Sequence, residues 1–344
     1  MAASIGIAVD IMGGDKAPDA IIDGVGEALD MFGERYRLFL VGPQEAIARG
    51  MERIGKKNDP RVIVVNATQV VTMEDHPVSA LRSKRDSSIS VCMDLVRTKR
   101  AQAVYSAGNT GAAVAAAYFK WRMIKGIERP CIATLLPSEK AQFLLVDSGA
   151  TVDCAPVNLL HFAQTGSIYM STVQKRKNPR VGLLSNGTED TKGNKLVQDT
   201  FKLLTRAREM GEINFIGNIE GHDVFTGNVD VVVCDGFVGN ILLKSSECLA
   251  KSIGHIIKRS IMQKALWKAG ALLCKGAFLE LKRTMDPSEV GGAPLLGVAG
   301  VCIIGHGNSD GHTVRNGIRA AGDYAHLKVN EIIADKAEHL SLLR

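Results

Sequence analysis

Short apolar runs rich in β-branched residues alternate with helical patterns along most of this chain. That alternation constrains its fold more than any single motif. The runs are Ile5–Val9, Arg37–Val41, Arg61–Val65, Ala103–Ser106, Cys131–Leu135, Phe143–Val146, Arg180–Leu184, Ile213–Ile216, Val229–Cys234 and Val298–Ile304. Apolar strands separated by helices predict a mostly parallel α/β sheet covered on both faces. Pro18 and Pro43 stand where helices are expected to begin, since their fixed φ suits a first turn. Asn109 or Thr110 is expected to cap a helix running to about Lys125. No internal repeat or low-complexity linker interrupts the pattern, so residues 1–344 are expected to form one α/β body.

A chain of 344 residues with 46% hydrophobic content can bury on the order of 75% of its unfolded surface without disulfides or a structural metal. The seven cysteines are scattered singly, with no C-x-x-C spacing, which reads as a reducing, cytoplasmic setting. No signal peptide is expected, because Ile5–Val9 lacks a basic flank and ends at Asp10. No apolar run approaches the roughly 18 residues of a membrane span.

The net charge of +6 is a local feature. Residues 251–283 hold eight basic residues and one acid, so the rest of the chain is nearly neutral. Leu249, Ile253, Ile256, Ile257 and Ile261 share one helical stripe there, opposite Lys258 and Arg259. Lys264 and Lys268 interrupt the stripe, and Gly270 and Gly276 follow, so a break is expected near them. Leu266, Trp267, Leu272, Leu273, Phe278 and Leu279 then have no evident core to face. A helical excursion over about 248–285 is the expectation.

The candidate chemistry lies in polar, Gly-rich segments at strand ends, where α/β sheets bind ligands. Ser106-Ala-Gly108-Asn109-Thr110-Gly111 is either an anion cradle or an ordinary strand-to-helix turn. Asp10 and Asp15 flank Gly13 and Gly14; they either hold a divalent cation or bond loop amides, and the second reading is favoured. Lys192, in a polar loop before Gly193 and Asn194, is either a solvent-exposed loop residue or an anion ligand. Asn240, after Asp235-Gly-Phe-Val-Gly, is either an oxyanion donor or a helix N-cap. Gly307-Asn-Ser309-Asp-Gly311 fits the nucleophile-elbow pattern, yet too little chain follows to supply an acid and a histidine on separate elements. No Walker A, G-x-G-x-x-G or H-E-x-x-H motif is present.

Taken in order, Asp10-x-Met-Gly-Gly-Asp15, Ser106-Ala-Gly-Asn-Thr-Gly111, Asp147-x-Gly-Ala-x-Val-Asp153, Glu189-Asp-x-Lys-Gly-Asn194, Phe215-Ile-Gly-Asn218, Asp235-Gly-Phe-x-Gly-Asn240 and Gly291-Gly-Ala resemble the bacterial phosphate acyltransferases of phospholipid synthesis. The resemblance spans about residues 5–325. It implies a three-layer α/β/α sandwich, akin to isopropylmalate dehydrogenases, in a homodimer. It also implies reversible transfer of a fatty acyl group from acyl carrier protein to inorganic phosphate, the acyl phosphate passing to a membrane glycerol-3-phosphate acyltransferase. Lys192 and Asn240 stand at the positions tied to catalysis in that family. Two positions depart from the pattern: Thr151 stands where Asn is usual, and Ile11 where Ala is usual.

These readings lead to definite expectations. Lys192 takes phosphate or oxyanion charge, and Asn240 takes the carbonyl oxygen. Amides of Met12–Asp15 and Ser106–Gly111 offer a phosphate cradle. No metal or cofactor is expected. The 251–283 segment, with Lys258, Arg259, Lys264, Trp267, Lys268, Leu272 and Leu273, meets an acidic carrier protein, an anionic membrane surface or a second subunit; nucleic acid is not expected. The alternatives are a phosphotransacetylase-like enzyme using short-chain acyl-CoA, a metal-dependent hydroxyacid dehydrogenase of the same fold, and a non-enzymatic binder of carrier protein.

Overall fold

The computed structural model describes residues 4–340. Its strands are β1 (Ile5–Asp10), β2 (Tyr36–Gly42), β3 (Val62–Asn66), β4 (Ala103–Ser106), β5 (Cys131–Pro137), β6 (Gln142–Val146), β7 (Arg180–Leu184), β8 (Asn214–Ile219), β9 (Val231–Val233), β10 (Ala293–Leu296) and β11 (Cys302–Ile304). Its helices are α1 (Asp19–Phe32), α2 (Gln44–Arg53), α3 (Pro77–Ser83), α4 (Ser88–Arg97), α5 (Thr110–Trp121), α6 (Pro156–Thr172), α7 (Lys195–Glu209), α8 (Gly236–Ile261), α9 (Ala265–Leu273), α10 (Lys275–Met285), α11 (Gly311–His326) and α12 (Val329–Leu340).

The eleven strands form one sheet in the order β3-β2-β1-β4-β11-β10-β5-β6-β9-β7-β8. The pairs β3–β2, β2–β1, β1–β4 and β4–β11 are parallel. So are β6–β9, β9–β7 and β7–β8. Between these halves, β11–β10, β10–β5 and β5–β6 are antiparallel. Three reversals leave the two parallel halves running in opposite senses. Side chains alternate between the faces, as period two requires. Leu144 and Val146 enter one core with Val181, Val231 and Val233, while Phe143 and Leu145 pack on the other face with Val232. Helices cover both faces, and the apolar strands are the consequence.

Three sequence expectations are corrected and one open choice is settled. The run Val298–Ile304 yields a strand only at Cys302–Ile304, and β10 forms instead at Ala293–Leu296; Gly291, Gly292 and Pro294 disguise it as a turn. The helix expected to reach Lys125 ends at Trp121, where Arg122 takes a φ of 64°. Asn109, not Thr110, caps that helix, its Oδ1 accepting from the Ala112 amide. The helix carrying the 249–261 stripe begins at Gly236.

The excursion leaves the body along the outer part of α8, turns at 262–264, and breaks again at Cys274 between α9 and α10, within the Gly270–Gly276 interval where a break is expected. Leu249, Ile253, Ile256 and Ile257 on α8 are exposed, and Leu272 and Leu273 at the far turn are 72% and 88% exposed. Lys264 places its ammonium 4.5 Å from the Trp267 ring centroid, a cation–π contact.

Candidate active site

The strand directions sort the predicted site residues into two groups. The first lies beyond the C-terminal ends of β1, β4 and β11. Asp10 is buried there. Its Oδ2 accepts from the Ser106 hydroxyl at 2.7 Å and its Oδ1 from the Met12 amide at 3.2 Å. Burial pushes this carboxyl above the usual carboxylate range, against hydrogen bonds from Ser88, Ser106 and Met12. The Gly108 amide donates to Ser106 Oγ, and the Asp15 amide donates to Gly307 O. Gly13 allows the loops to interlock, because a Cβ there would lie 2.8 Å from the Gly108 nitrogen. Asn109 donates to the carbonyls of Thr72, Met73 and Asp75. Met12, Gly14, Asp15, Glu74, Gly108 and Asn109 help line a cleft of about 280 Å³. Thr110 is exposed and Gly111 half-buried at the start of α5. Asp10 therefore bonds loop amides and hydroxyls. Among the described residues no group of three or more His, Cys, Asp or Glu is placed to hold a metal ion.

Ser309, the serine of the elbow-like pattern, belongs to this group. It is buried, and its hydroxyl donates to His306 O at 2.6 Å. Asp310, its neighbour, caps α11 through the Thr313 amide. A buried hydroxyl committed to a backbone carbonyl is turn structure rather than a nucleophile.

The second group lies beyond the C-terminal ends of β6, β9, β7 and β8, on adjacent strands. Asp147 is its scaffold. Fully buried, it accepts from the amides of Ile132, Gly149 and Ala150 on Oδ1 and of Thr151 on Oδ2, at 2.6–3.1 Å. Thr151, at one of the departing positions, satisfies its own hydroxyl on Pro130 O at 2.8 Å. Ile11, at the other, is buried in the core. The first turn of α8 sits directly on the Asp147 loop, and a Cβ on Gly239 would fall 1.9 Å from Asp147 O. Only glycine permits that approach.

Asp235 is the N-cap of α8, accepting from the amides of Phe237 and Val238. Asn240 therefore does not cap the helix. It lies five residues beyond the cap, exposed, with its side chain against Gly149. Asn194 likewise caps α7, accepting from the Val197 amide at 3.0 Å. Lys192 precedes that helix start and is exposed, its stem lying across Gly187. The second group thus presents an ammonium and a carboxamide beside two capped helix N-termini. This is a setting for negative charge.

Three carboxamides that the motif reading gave no role hold the Lys192 loop. Asn186 Oδ1 accepts from the Gly193 amide, Gln198 Nε2 donates to the carbonyls of Thr191 and Gly193, and Asn218 Nδ2 donates to Glu189 O. Asn218 closes the Phe215-Ile-Gly-Asn segment, which was its only signal in the sequence.

A family model described as fatty acid synthesis protein matches residues 5–332. The phosphate acyltransferase of Geotalea uraniireducens is 44% identical over 332 residues, covering 96% of this chain and 94% of the relative. That of Pelotomaculum thermopropionicum is 44% identical over 337 residues, covering 98% and 96%. Among solved structures, a phosphotransacetylase from Streptococcus pyogenes superposes with a TM-score of 0.65 at 14% identity over 95% of both chains. The EutD phosphotransacetylase from Staphylococcus aureus does so at 0.61 and 13% over 94% of both. At such identities these two share the fold alone. The match over nearly the whole chain shows that the protein belongs to the fatty acid synthesis protein family, alongside the phosphate acyltransferases, and is an enzyme of the acyltransferase class.

Proposed function

We propose that this enzyme transfers a fatty acyl group from acyl carrier protein to inorganic phosphate, with Lys192 and Asn240 as its catalytic residues. The observation that carries the reading is their placement: both are exposed beyond neighbouring parallel strands, Lys192 on the loop before α7 and Asn240 early in α8, each near a helix N-terminus. Phosphate is anionic at neutral pH and needs no general base to attack. Lys192 offsets its charge. A phosphate oxygen adds to the thioester carbonyl carbon, and the electron pair of the C=O bond moves onto oxygen. Asn240 donates a hydrogen bond to that oxyanion. Collapse of the tetrahedral intermediate restores C=O, breaks the C–S bond and releases the carrier thiolate. Holding the two reactants together is worth roughly 7–11 kcal/mol of barrier, and one preorganised oxyanion donor about 10²–10³ in rate.

The excursion supplies the partners in this proposal. The apolar stripe of α8 packs against a second copy to form a homodimer. The far turn, with Trp267, Leu272 and Leu273 among Lys264 and Lys268, rests on an anionic bilayer. Lys258 and Arg259 steer the acidic carrier protein. Among the described residues no helix is long and apolar enough to cross a membrane, so the proposed association is peripheral, at the cytoplasmic face, where the acyl phosphate passes to the membrane glycerol-3-phosphate acyltransferase. The test is acyl-phosphate formation from long-chain acyl carrier protein and from acetyl-CoA at equal concentration. Turnover confined to the long-chain thioester supports the proposal; turnover confined to acetyl-CoA overturns it in favour of a short-chain phosphotransacylase.

A further inference from the structure

We infer that Asn218 is the positioning residue for Lys192, delivered to its task by a bulge in β8; the inference rests on the catalytic reading of Lys192. The register of β7 and β8 runs Val181 to Phe215, then slips so that Gly182 faces Gly217 and Leu183 faces Asn218. Ile216 is the extra residue, 43% exposed. Gly217, with φ of +107°, absorbs the local turn. In an unbroken strand Phe215 and Ile219 would share a face. Here they occupy different cores, Phe215 with Leu183 and Ile219 with Val232. One inserted residue exchanges the faces of everything beyond it. Asn218 is thereby moved to the face of Phe215 and Leu183, the face that α7 covers with Leu204 and Ala207.

That is also the face crossed by the loop that enters α7. Asn218 is only 5% exposed, and its Nδ2 donates to Glu189 O at 2.8 Å. The same carbonyl receives the Lys192 amide at 3.1 Å. One buried carboxamide therefore fixes the acceptor on which the Lys192 turn closes. Without the bulge Asn218 would point to the opposite face and the loop would lose this anchor. Asn186 and Gln198 hold the other side of the loop, but both belong to the segment they brace or to its own helix. Asn218 ties the Lys192 turn to β8 through a side chain, beyond the backbone bond from Ser185 to Ile219 at the start of the loop.

The test is N218D, which keeps the shape of the side chain and removes the donor, with N218A and K192A measured beside it. Acyl-phosphate formation by N218D is expected to fall about 10- to 100-fold, the scale of a misplacement near 1 Å, mainly in kcat. N218A/K192A is expected to be no slower than K192A, because both changes remove one function. Amide hydrogen exchange over residues 186–194 is expected to quicken in N218D while the core strands keep their protection. Wild-type turnover and exchange in N218D, or fully multiplicative losses in the double variant, overturn the inference. Retained activity in K192A is a separate result and overturns the catalytic reading itself.

Discussion

The two halves of the sheet each end in a loop group built on one buried aspartate, and they use it differently. Asp10 receives the hydroxyls of Ser88 and Ser106 and the Met12 amide, the amides of Met12, Gly13 and Gly108 donate within their own loops, and the Asp15 amide crosses to Gly307 O. Asp147 receives four backbone amides. It underpins the first turn of α8, whose Asn240 is exposed against the Asp147 loop. Gly-rich sequence after a strand is thus common to both groups, and the second exposes Lys192 and Asn240 near capped helix N-termini.

The sharpest way to break this contrast is at the contact between α8 and the Asp147 loop. Gly239→Ala must push the helix off Asp147 O, and a loss of at least about 3 kcal/mol in urea unfolding is expected, with activity falling in step. A variant as stable as the wild type would mean that the helix does not depend on that base. The aspartates themselves come next. Asp147→Asn sets an amide donor against the Thr151 amide and is expected to cost about 1–3 kcal/mol. Asp10→Asn is expected to cost under about 1 kcal/mol, because its two side-chain partners, Ser88 and Ser106, are hydroxyls that can turn to accept. Equal losses would erase the distinction between the two shells.

Burial raises the Asp10 carboxyl in the folded state. The native protein therefore binds that proton more tightly than the unfolded chain does. Its contribution to stability is present below the unfolded value, about 3.9, and is lost as pH rises through the folded one. Asp10→Asn is expected to remove that decline, measured as the difference in Tm between variant and wild type across the acidic range. A difference that stays flat with pH would show that Asp10 titrates alike in both states. The smallest effect on the body is expected from the excursion. Leu272→Glu with Leu273→Glu should leave stability within about 0.5 kcal/mol and turnover of soluble donor unchanged, while abolishing co-sedimentation with anionic liposomes. Undiminished co-sedimentation would remove the bilayer from the account.

Much of this was legible in the residues. Nearly every apolar run became a strand, and the basic excursion stands out from the body. What stayed hidden depended on direction and register. The antiparallel trio β10, β5 and β6 reverses the sheet, yet an apolar run reads the same in either sense, so two loop groups looked like one. Asn240 resembled an N-cap until Asp235 was seen to fill that place. Asn218 gained its role from a one-residue bulge, which no period-two pattern discloses.

The central claim is that the second loop group performs acyl transfer through Lys192 and Asn240. Acyl-phosphate formation from long-chain acyl carrier protein and phosphate, measured for K192A and N240A at unchanged Tm, tests it most directly. Losses of about 100-fold or more in each are predicted; rates within a few-fold of the wild type in both would contradict it.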